Sequence, residues 1–194
     1  FEAFEDTLHE IEQDIEPTQL VRWAAEGAEI AQATPRGWEA SAEYFRASGK
    51  TLRVLSFAQF LRWAQTGASS ALESTSVGAA YFRASPLALS SIPPRFITSW
   101  ATLGNSLNKG TWKSSTLATR FFDISSELLG SLEFSELEEY TALVEVLSHR
   151  SYDLAIECLQ LGQRVLPSVQ DRKELISLAR ALAITSWREV RGCF

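Results

Sequence analysis

Few side chains in this sequence have the types and spacing that catalysis requires. A Ser-His-Asp or Cys-His arrangement needs a histidine as its base, and the chain has only His9 and His149, neither in a recognisable site motif. Cys158 and Cys193 stand where other copies of a sequence repeat carry aromatic residues, which favours small core residues over zinc ligands. We therefore expect surface histidines and no cysteine nucleophile.

Two further stretches invite a chemical interpretation. Four acids between positions 133 and 139 could act as paired carboxylates, but acids that open a helix also favour the positive end of its dipole. The stretch GNSLNKGTWKS from Gly104 contains Gly and Lys without the order of a phosphate-binding loop. The sequence thus predicts no catalytic residue, no metal site and no cofactor, and we expect no enzymatic activity.

Charge is concentrated at one end of the chain. The formal charge of the 194 residues is −6, with 18 Lys and Arg against 24 Asp and Glu, yet positions 1–16 hold seven acids and no base. The nearly neutral remainder argues against nucleic acid as a partner. An acidic N-terminus opposes a secretory signal, and no apolar run approaches the roughly 18–20 residues of a membrane span. We expect a cytoplasmic protein without membrane contact, and the absence of Met from a chain that starts at Phe1 predicts a fragment.

The elements that must position these residues are the helices of a repeat. Apolar residues recur at i, i+3, i+4 and i+7, and self-similarity at a fixed period indicates a repeat architecture. The first helices of five repeats align at spacings of 37–40 residues. Their first apolar position is Leu20, Phe60, Ile97, Leu137 or Leu175, and three residues later comes Trp23, Trp63, Trp100, Tyr140 or Leu178. Four residues further on comes Gly27, Gly67, Gly104, Val144 or Leu182.

Each first helix is followed by a second one and by a short third helical segment. The second helices align on Tyr44–Phe45, Tyr81–Phe82, Phe121–Phe122, Cys158–Leu159 and Cys193–Phe194. A period of about 37–40 residues favours HEAT or armadillo-type geometry, so we predict an all-α fold, a right-handed α-solenoid. Its repeats span 17–55, 56–92, 93–132, 133–169 and a partial 170–194, after an acidic amphipathic capping helix at 1–16.

The repeated aromatic and glycine residues are expected in the core. Trp fills the space between helices, and Gly four residues on lets a neighbour approach. The predicted core comprises Trp23, Gly27, Tyr44, Phe45, Trp63, Gly67, Tyr81, Phe82, Trp100, Gly104, Phe121 and Phe122. At loop-to-helix junctions, Trp38, Trp112 and Trp187 could anchor a partner, but we favour packing for them as well.

Four arginines are the candidate partner-binding residues. Arg46 and Arg83 share one position of Tyr-Phe-Arg-Ala-Ser, and Arg22 and Arg62 each precede a repeated Trp. Stacked repeats place equivalent positions in rows, so these side chains could form ladders that capture an acidic segment, either of a partner or of residues 1–16 themselves. Pairing with acids of the same repeat, or simple solvation, is the competing interpretation.

The run WAAEGAEIAQATPRGWEASAEYFRASGKTLRVLS resembles a block of bacterial proteins that carry a von Willebrand factor A domain, in which repeats with Trp…Gly…Tyr-Phe-Arg precede that domain. The resemblance is clearest over residues 20–92. It implies a link with MoxR-type AAA+ ATPases that assemble or activate metalloenzymes. It transfers no catalytic or metal residue, because this chain has no Asp-x-Ser-x-Ser motif.

The sequence therefore predicts a non-enzymatic scaffold for protein–protein interaction, the helical-repeat part of a larger bacterial protein. The alternative is an accessory or substrate-binding domain of a helical-repeat enzyme, including one that binds nucleic acid. A third possibility is a structural spacer inside a longer solenoid.

Overall fold

A computed structural model of the chain describes residues 2–13, 15–109 and 112–185, and every regular element in these ranges is helical. The predicted pair Cys193–Phe194 and Trp187 lie outside the described residues, as does the side chain of Trp112. The chain divides into an N-terminal unit, Phe1–Asn105, and a C-terminal unit, Ser106–Phe194. Within the described ranges, no helix combines the length and the apolar character that crossing a bilayer requires.

The N-terminal unit consists of six α-helices and one short 3-10 turn among the described residues. They are α1 (Glu2–Ile11), α2 (Pro17–Gln32), α3 (Gly37–Leu52), α4 (Phe57–Glu73), α5 (Thr75–Ser91), the turn Pro94–Phe96 and α6 (Ile97–Ser106). Local sequence sets the boundaries. Pro17 opens α2, where its missing N–H is no loss, and the Ser56 hydroxyl caps α4 by accepting the Gln59 N–H.

The C-terminal unit continues with four α-helices in its described part. They are α7 (Trp112–Leu128), α8 (Phe134–Ser148), α9 (Tyr152–Val165), the 3-10 turn Leu166–Ser168 and α10 (Arg172–Thr185). The acids at 133–139 open α8, where the Glu133 N–H donates to the Glu136 carboxylate at 2.8 Å. Glu133 and Glu136 therefore cap the helix. The short third segments of the repeats are the ends of second helices and the turns that follow them, and among the described ones a 3-10 helix forms at Leu166–Ser168.

Aromatic rings connect the second helices to the helices that follow. Tyr44 of α3 stacks on Trp63 of α4, with ring centroids 5.6 Å apart, and meets Phe82 of α5 edge-on at 5.5 Å. The Tyr44 hydroxyl also donates to the Trp23 carbonyl at 3.0 Å, which satisfies a buried phenol. A second helix thus packs simultaneously on both helices of the next pair.

Helix α1 makes the same pair of contacts one repeat earlier. Phe4 stacks on Trp23 at 5.2 Å and meets Phe45 edge-on at 5.2 Å. Phe4 and Tyr44 are 40 residues apart, the same spacing as the tryptophans on which they stack, Trp23 and Trp63. The acidic helix at the start of the chain therefore occupies the place of a second helix, a relation that its sequence does not reveal because only Phe4 matches.

Two glycines leave room for rings of the next helix. A Cβ at Gly67 would overlap the Phe82 ring and stand 2.8 Å from Cδ1 of Tyr81. A Cβ at Gly27 would stand 2.6 Å from Cε1 of Phe45. Carbon atoms in contact lie about 3.5–4.0 Å apart, so a side chain at either position would displace a packed ring.

In the C-terminal unit, other residues replace both the repeat glycine and the ring that it faces. Val144 of α8 stands at the glycine position and Leu159 of α9 at the ring position, and both are buried. A larger residue on the first helix is thus accompanied by a smaller one on the second. The pairing indicates that glycine is selected by the ring it faces.

Most of the predicted core is buried, but the register of the fifth repeat is wrong. The tryptophans, tyrosines and paired phenylalanines of the predicted core are buried except for Phe45, which is partly exposed, and Gly27, Gly67 and Gly104 are buried too. Leu178, aligned with the tryptophans, is 52% exposed, whereas Ile176 is buried. The inward face of α10 therefore runs one residue later than the alignment placed it.

Candidate functional site

Two of the four predicted arginines line one groove. Arg46 of α3 and Arg83 of α5 border a groove of about 280 Å³ together with Lys50 and Leu87. Glu43 is the one acid that lines it. Leu87 is exposed and adds apolar surface. Three cations beside an apolar side chain suit an acidic ligand that also carries a hydrophobic residue.

The charge of Arg46 is partly engaged within its own helix. Its Nη1 lies 2.8 Å from Oε1 of Glu43, and the arginine side chain is 60% exposed. An exposed ion pair of this kind contributes roughly 0.3–0.5 kcal/mol to stability, so a ligand carboxylate can compete for the guanidinium. Pairing inside a repeat, the competing interpretation of the arginines, thus occurs at Arg46 without fixing it in place.

The other two predicted arginines lie on first helices and do not line this groove. Arg62 is an exposed residue of α4. Nη2 of Arg22 in α2 lies 2.6 Å from Oε1 of Glu26, a buried carboxylate. The pKa of Tyr44 is raised by burial and by the charge of Glu26. Arg22 therefore neutralises a buried acid, and the four arginines do not form one set.

An acidic helix already lies along α3. Glu10 of α1 accepts a hydrogen bond from Nη2 of Arg53 at 2.8 Å. Asp6 and Glu10 also line the groove between α1 and α3, which Arg46 borders from the other side. The acidic segment at 1–16 thus pairs with Arg53, which is not one of the four predicted arginines.

The corresponding groove of the C-terminal unit has the opposite charge. It lies between α7 and α9 and has a volume of about 250 Å³. Asp123 and Glu127 line it at the repeat positions of Arg46 and Lys50, Gln160 stands at the position of Arg83, and Arg120 leaves the lining with a net charge of one acid. The arginine position shared by Arg46 and Arg83 is therefore not basic in α7 or α9.

Cys158, His9 and His149 are the nucleophile and base candidates that the structure describes. Burial raises the pKa of the Cys158 thiol to about 12, so the group stays protonated. The buried Tyr140 hydroxyl donates to the Cys158 carbonyl at 2.6 Å. His9 and His149 are exposed. Among the described residues, no three His, Cys, Asp or Glu side chains converge to hold a metal ion.

Trp38 is the functional candidate for which the expectation of packing is wrong. It is 63% exposed, at the rim of an apolar groove of about 500 Å³ that Phe4 and Phe45 also line. The tryptophan lies in the first turn of α3, immediately after the turn at 33–36. The position of Trp38 at a loop-to-helix junction is typical of an aromatic residue that could anchor a partner. The junction alone does not reveal which element covers the ring.

Comparison with known proteins gives no relative. No family model, no curated protein and no solved structure matches this chain. Function must therefore be inferred from the grooves themselves.

Proposed function

We propose that the chain is a non-enzymatic protein-interaction scaffold that binds an acidic segment of a partner protein in the groove between α3 and α5. The observation that carries this proposal is the meeting of Arg46, Lys50 and Arg83 beside the exposed Leu87. The helix pairs would be repeats of a right-handed HEAT/armadillo-like α-solenoid. The 40-residue spacing of Phe4 and Tyr44, together with their matching ring contacts, supports this part of the proposal.

The chemistry of the groove favours carboxylates over other anionic groups of proteins. A guanidinium presents a planar fork of donors that matches a carboxylate, and such charge-assisted hydrogen bonds are stronger than neutral ones. The contact between Arg53 and Glu10 at 2.8 Å is a precedent inside the molecule, because the arginine that directly follows α3 there holds an acid of α1. A partner segment with acids about one helical turn apart could engage Arg46 and Arg83 together.

The runner-up function is an accessory domain that binds nucleic acid. The groove between α3 and α5 would attract phosphates as well as carboxylates. Asp123 and Glu127, however, stand at the repeat positions of Arg46 and Lys50, so a polyanion could not continue the contacts of Arg46 and Arg83 into the third repeat. A protein segment that covers one groove needs no such continuity.

The identity of the partner follows only from resemblance. A MoxR-type AAA+ ATPase, the partner that resemblance to von Willebrand-associated repeats implies, is a candidate to assay. We also propose a cytoplasmic setting for the interaction, in keeping with the sequence.

The proposal is tested by fluorescence anisotropy with a labelled, end-capped peptide of glutamates with leucine at every fourth position. Arg46→Glu/Arg83→Glu should weaken binding by about tenfold or more and flatten its salt dependence. The matched control is Arg62→Glu/Arg180→Glu, which makes the same charge change at exposed positions that do not line the groove. The control should retain most of the affinity, because exposed charges without direct contact to the ligand are screened by salt.

If both double variants lost affinity equally, net charge alone would explain the effect, and the proposal would be contradicted. Unchanged affinity in Arg46→Glu/Arg83→Glu would contradict it as well. A DNA duplex of similar charge is the second probe. Tight DNA binding that is lost with added salt would support the runner-up function instead.

A further inference from the structure

Arg46 borders two neighbouring grooves of the N-terminal unit. Besides the groove between α3 and α5, it lines one of about 370 Å³ between α1 and α3, to which α1 contributes the acids Glu2, Asp6 and Glu10. The arginine side chain is 60% exposed, and its ion pair with Glu43 is a weak one. The guanidinium can therefore turn toward either groove at little cost.

The register of the repeat sets acids of α1 beside cations of α3. Asp6 and Glu10 precede Arg46 and Lys50 by 40 residues each, which is also the spacing between the equivalent aromatic rings of α1 and α3. Because α1 occupies the place of a second helix, equivalent positions of the two helices lie in rows. Asp6 is therefore the acid of α1 in the row of Arg46.

Contacts of α1 hold it on the surface of α3. The hydroxyl of Thr7 donates to the carbonyl of Phe45 at 2.8 Å, one residue before Arg46. The carboxylate of Glu10 lies over Gly49, where a Cβ would stand 2.6 Å from the carboxylate carbon. The backbone of α1 is thus fixed next to Arg46, so an acid at position 6 stays within reach of the guanidinium.

Asp6 is the acid of this row that is available for a further contact. Glu10 is engaged by Arg53 at 2.8 Å. Asp6 is exposed and has no ion pair with any other residue that the structure describes. An attraction between Asp6 and Arg46 would draw the guanidinium away from the groove between α3 and α5.

We propose that Asp6 makes α1 an intramolecular competitor for the groove between α3 and α5. Its carboxylate attracts the Arg46 guanidinium toward α1, and a partner's carboxylate must overcome that attraction before it binds Arg46. Because the competition concerns the same groove, it rests on the proposed function. The acidic start of the chain thereby sets how strongly an acidic segment binds.

The test compares Asp6→Asn with Glu5→Gln in the full chain, using the labelled glutamate-leucine peptide at about 0.15 M salt. Both substitutions remove one negative charge from α1, but Glu5 lines neither groove. Asp6→Asn should tighten binding about two- to fivefold, the range that an exposed ion pair spans. Glu5→Gln should leave the affinity nearly unchanged, because salt screens an exposed charge that does not contact Arg46. Circular dichroism checks that both variants keep their helix content.

An Arg46→Gln background separates competition from net charge. There, Asp6→Asn should tighten binding no more than Glu5→Gln does, because no guanidinium is left at position 46 to compete for. An equal gain with and without Arg46, or an equal gain from Glu5→Gln, would reduce the effect to net charge and overturn the proposal. Unchanged affinity in Asp6→Asn would overturn it too.

The chain without peptide distinguishes failure of this proposal from failure of the proposed function. Asp6→Asn should shift the NMR signal of the Arg46 Nε–Hε group, while that of Arg62 stays in place. If no variant binds the peptide, the proposed function fails, and the shift still shows whether Asp6 attracts Arg46. An Arg46 signal that is identical in the two chains would overturn the attraction, and with it the competition.

Discussion

Gly67→Ala tests whether the repeat glycine is selected by the rings that it faces. The new Cβ would overlap Phe82 and stand 2.8 Å from Tyr81, and both rings are fully buried. Overpacking of a core costs about 1–3 kcal/mol, while Gly→Ala in a helix interior gains about 1 kcal/mol in propensity. We expect a net loss of about 0–2 kcal/mol in the free energy of unfolding, or a fall in Tm of up to about 8 °C for a chain of this size.

Gly49→Ala is the matched control because the same change occurs in a helix with a different neighbour. The three atoms nearest to a Cβ at Gly49 belong to the carboxylate of Glu10, the far end of a flexible side chain whose ion pair with Arg53 is exposed and contributes little. The propensity gain then dominates, and we expect stability to rise by up to about 1 kcal/mol. Chemical denaturation of both variants measures the contrast, which should amount to about 1–3 kcal/mol because the propensity gain is common to both.

A double substitution makes the test sharper. Gly67→Val/Phe82→Leu copies the pair that Val144 and Leu159 form in the C-terminal unit. It should be less destabilised than the sum of its single changes, with a coupling of about 0.5–3 kcal/mol. Additive single changes, or a Gly67→Ala variant more stable than the original chain, would refute the proposed role of the ring.

Three further predictions concern buried ionisable groups. Stability should fall as pH rises above about 10, by up to about 1.4 kcal/mol per pH unit for each tyrosine that stays protonated when folded. Burial raises the pKa of Tyr44, Tyr81 and Tyr140, so the unfolded chain releases its phenolic protons at a lower pH than the folded chain does. Denaturant titrations at several pH values will measure the slope of the unfolding free energy against pH, and a flat profile would contradict the prediction. The second prediction uses a Cys193→Ser variant, in which Cys158 is the one remaining thiol. Near pH 8, Cys158 should react with an aromatic disulfide about a thousandfold more slowly in the folded chain than in denaturant, because burial raises its thiol pKa to about 12. Equal rates would refute the burial of Cys158. Arg22→Ala should lose about 1–3 kcal/mol of stability, because it leaves the buried Glu26 carboxylate without its cation. Adding Glu26→Gln to that variant should restore part of the lost stability, as measured by thermal unfolding. No recovery would contradict the role of Arg22 in neutralising Glu26.

The sequence predicts the structure well where the same residue type recurs at one packing position of the repeat. The spacing of Trp23, Trp63 and Trp100 predicts three helices with the same inward face, and all three rings are fully buried. The reversal of charge between Arg46 and Asp123 is also readable, since both stand at one position of the repeat. Such features depend on helical periodicity alone.

Other features depend on which helix lies above a residue, and periodicity does not specify that. Trp38 has the size of a core residue, yet the helix that would cover it in the manner of the next repeat is not among the described elements. Leu178 and Ile176 are equally apolar, so hydrophobicity alone could not fix the register of α10. The place of α1 became recognisable only from the ring contacts of Phe4.

The most direct measurement of binding in the groove between α3 and α5 is the NMR spectrum of the arginine Nε–Hε groups of the full chain. On addition of the glutamate-leucine peptide, the signals of Arg46 and Arg83 should shift together and saturate at the same peptide concentration. The signals of Arg62 and Arg180, both exposed and outside the groove, should stay in place. Shifts at Arg62 and Arg180 of equal size, or no shift at Arg46 and Arg83, would contradict a specific acidic-segment site.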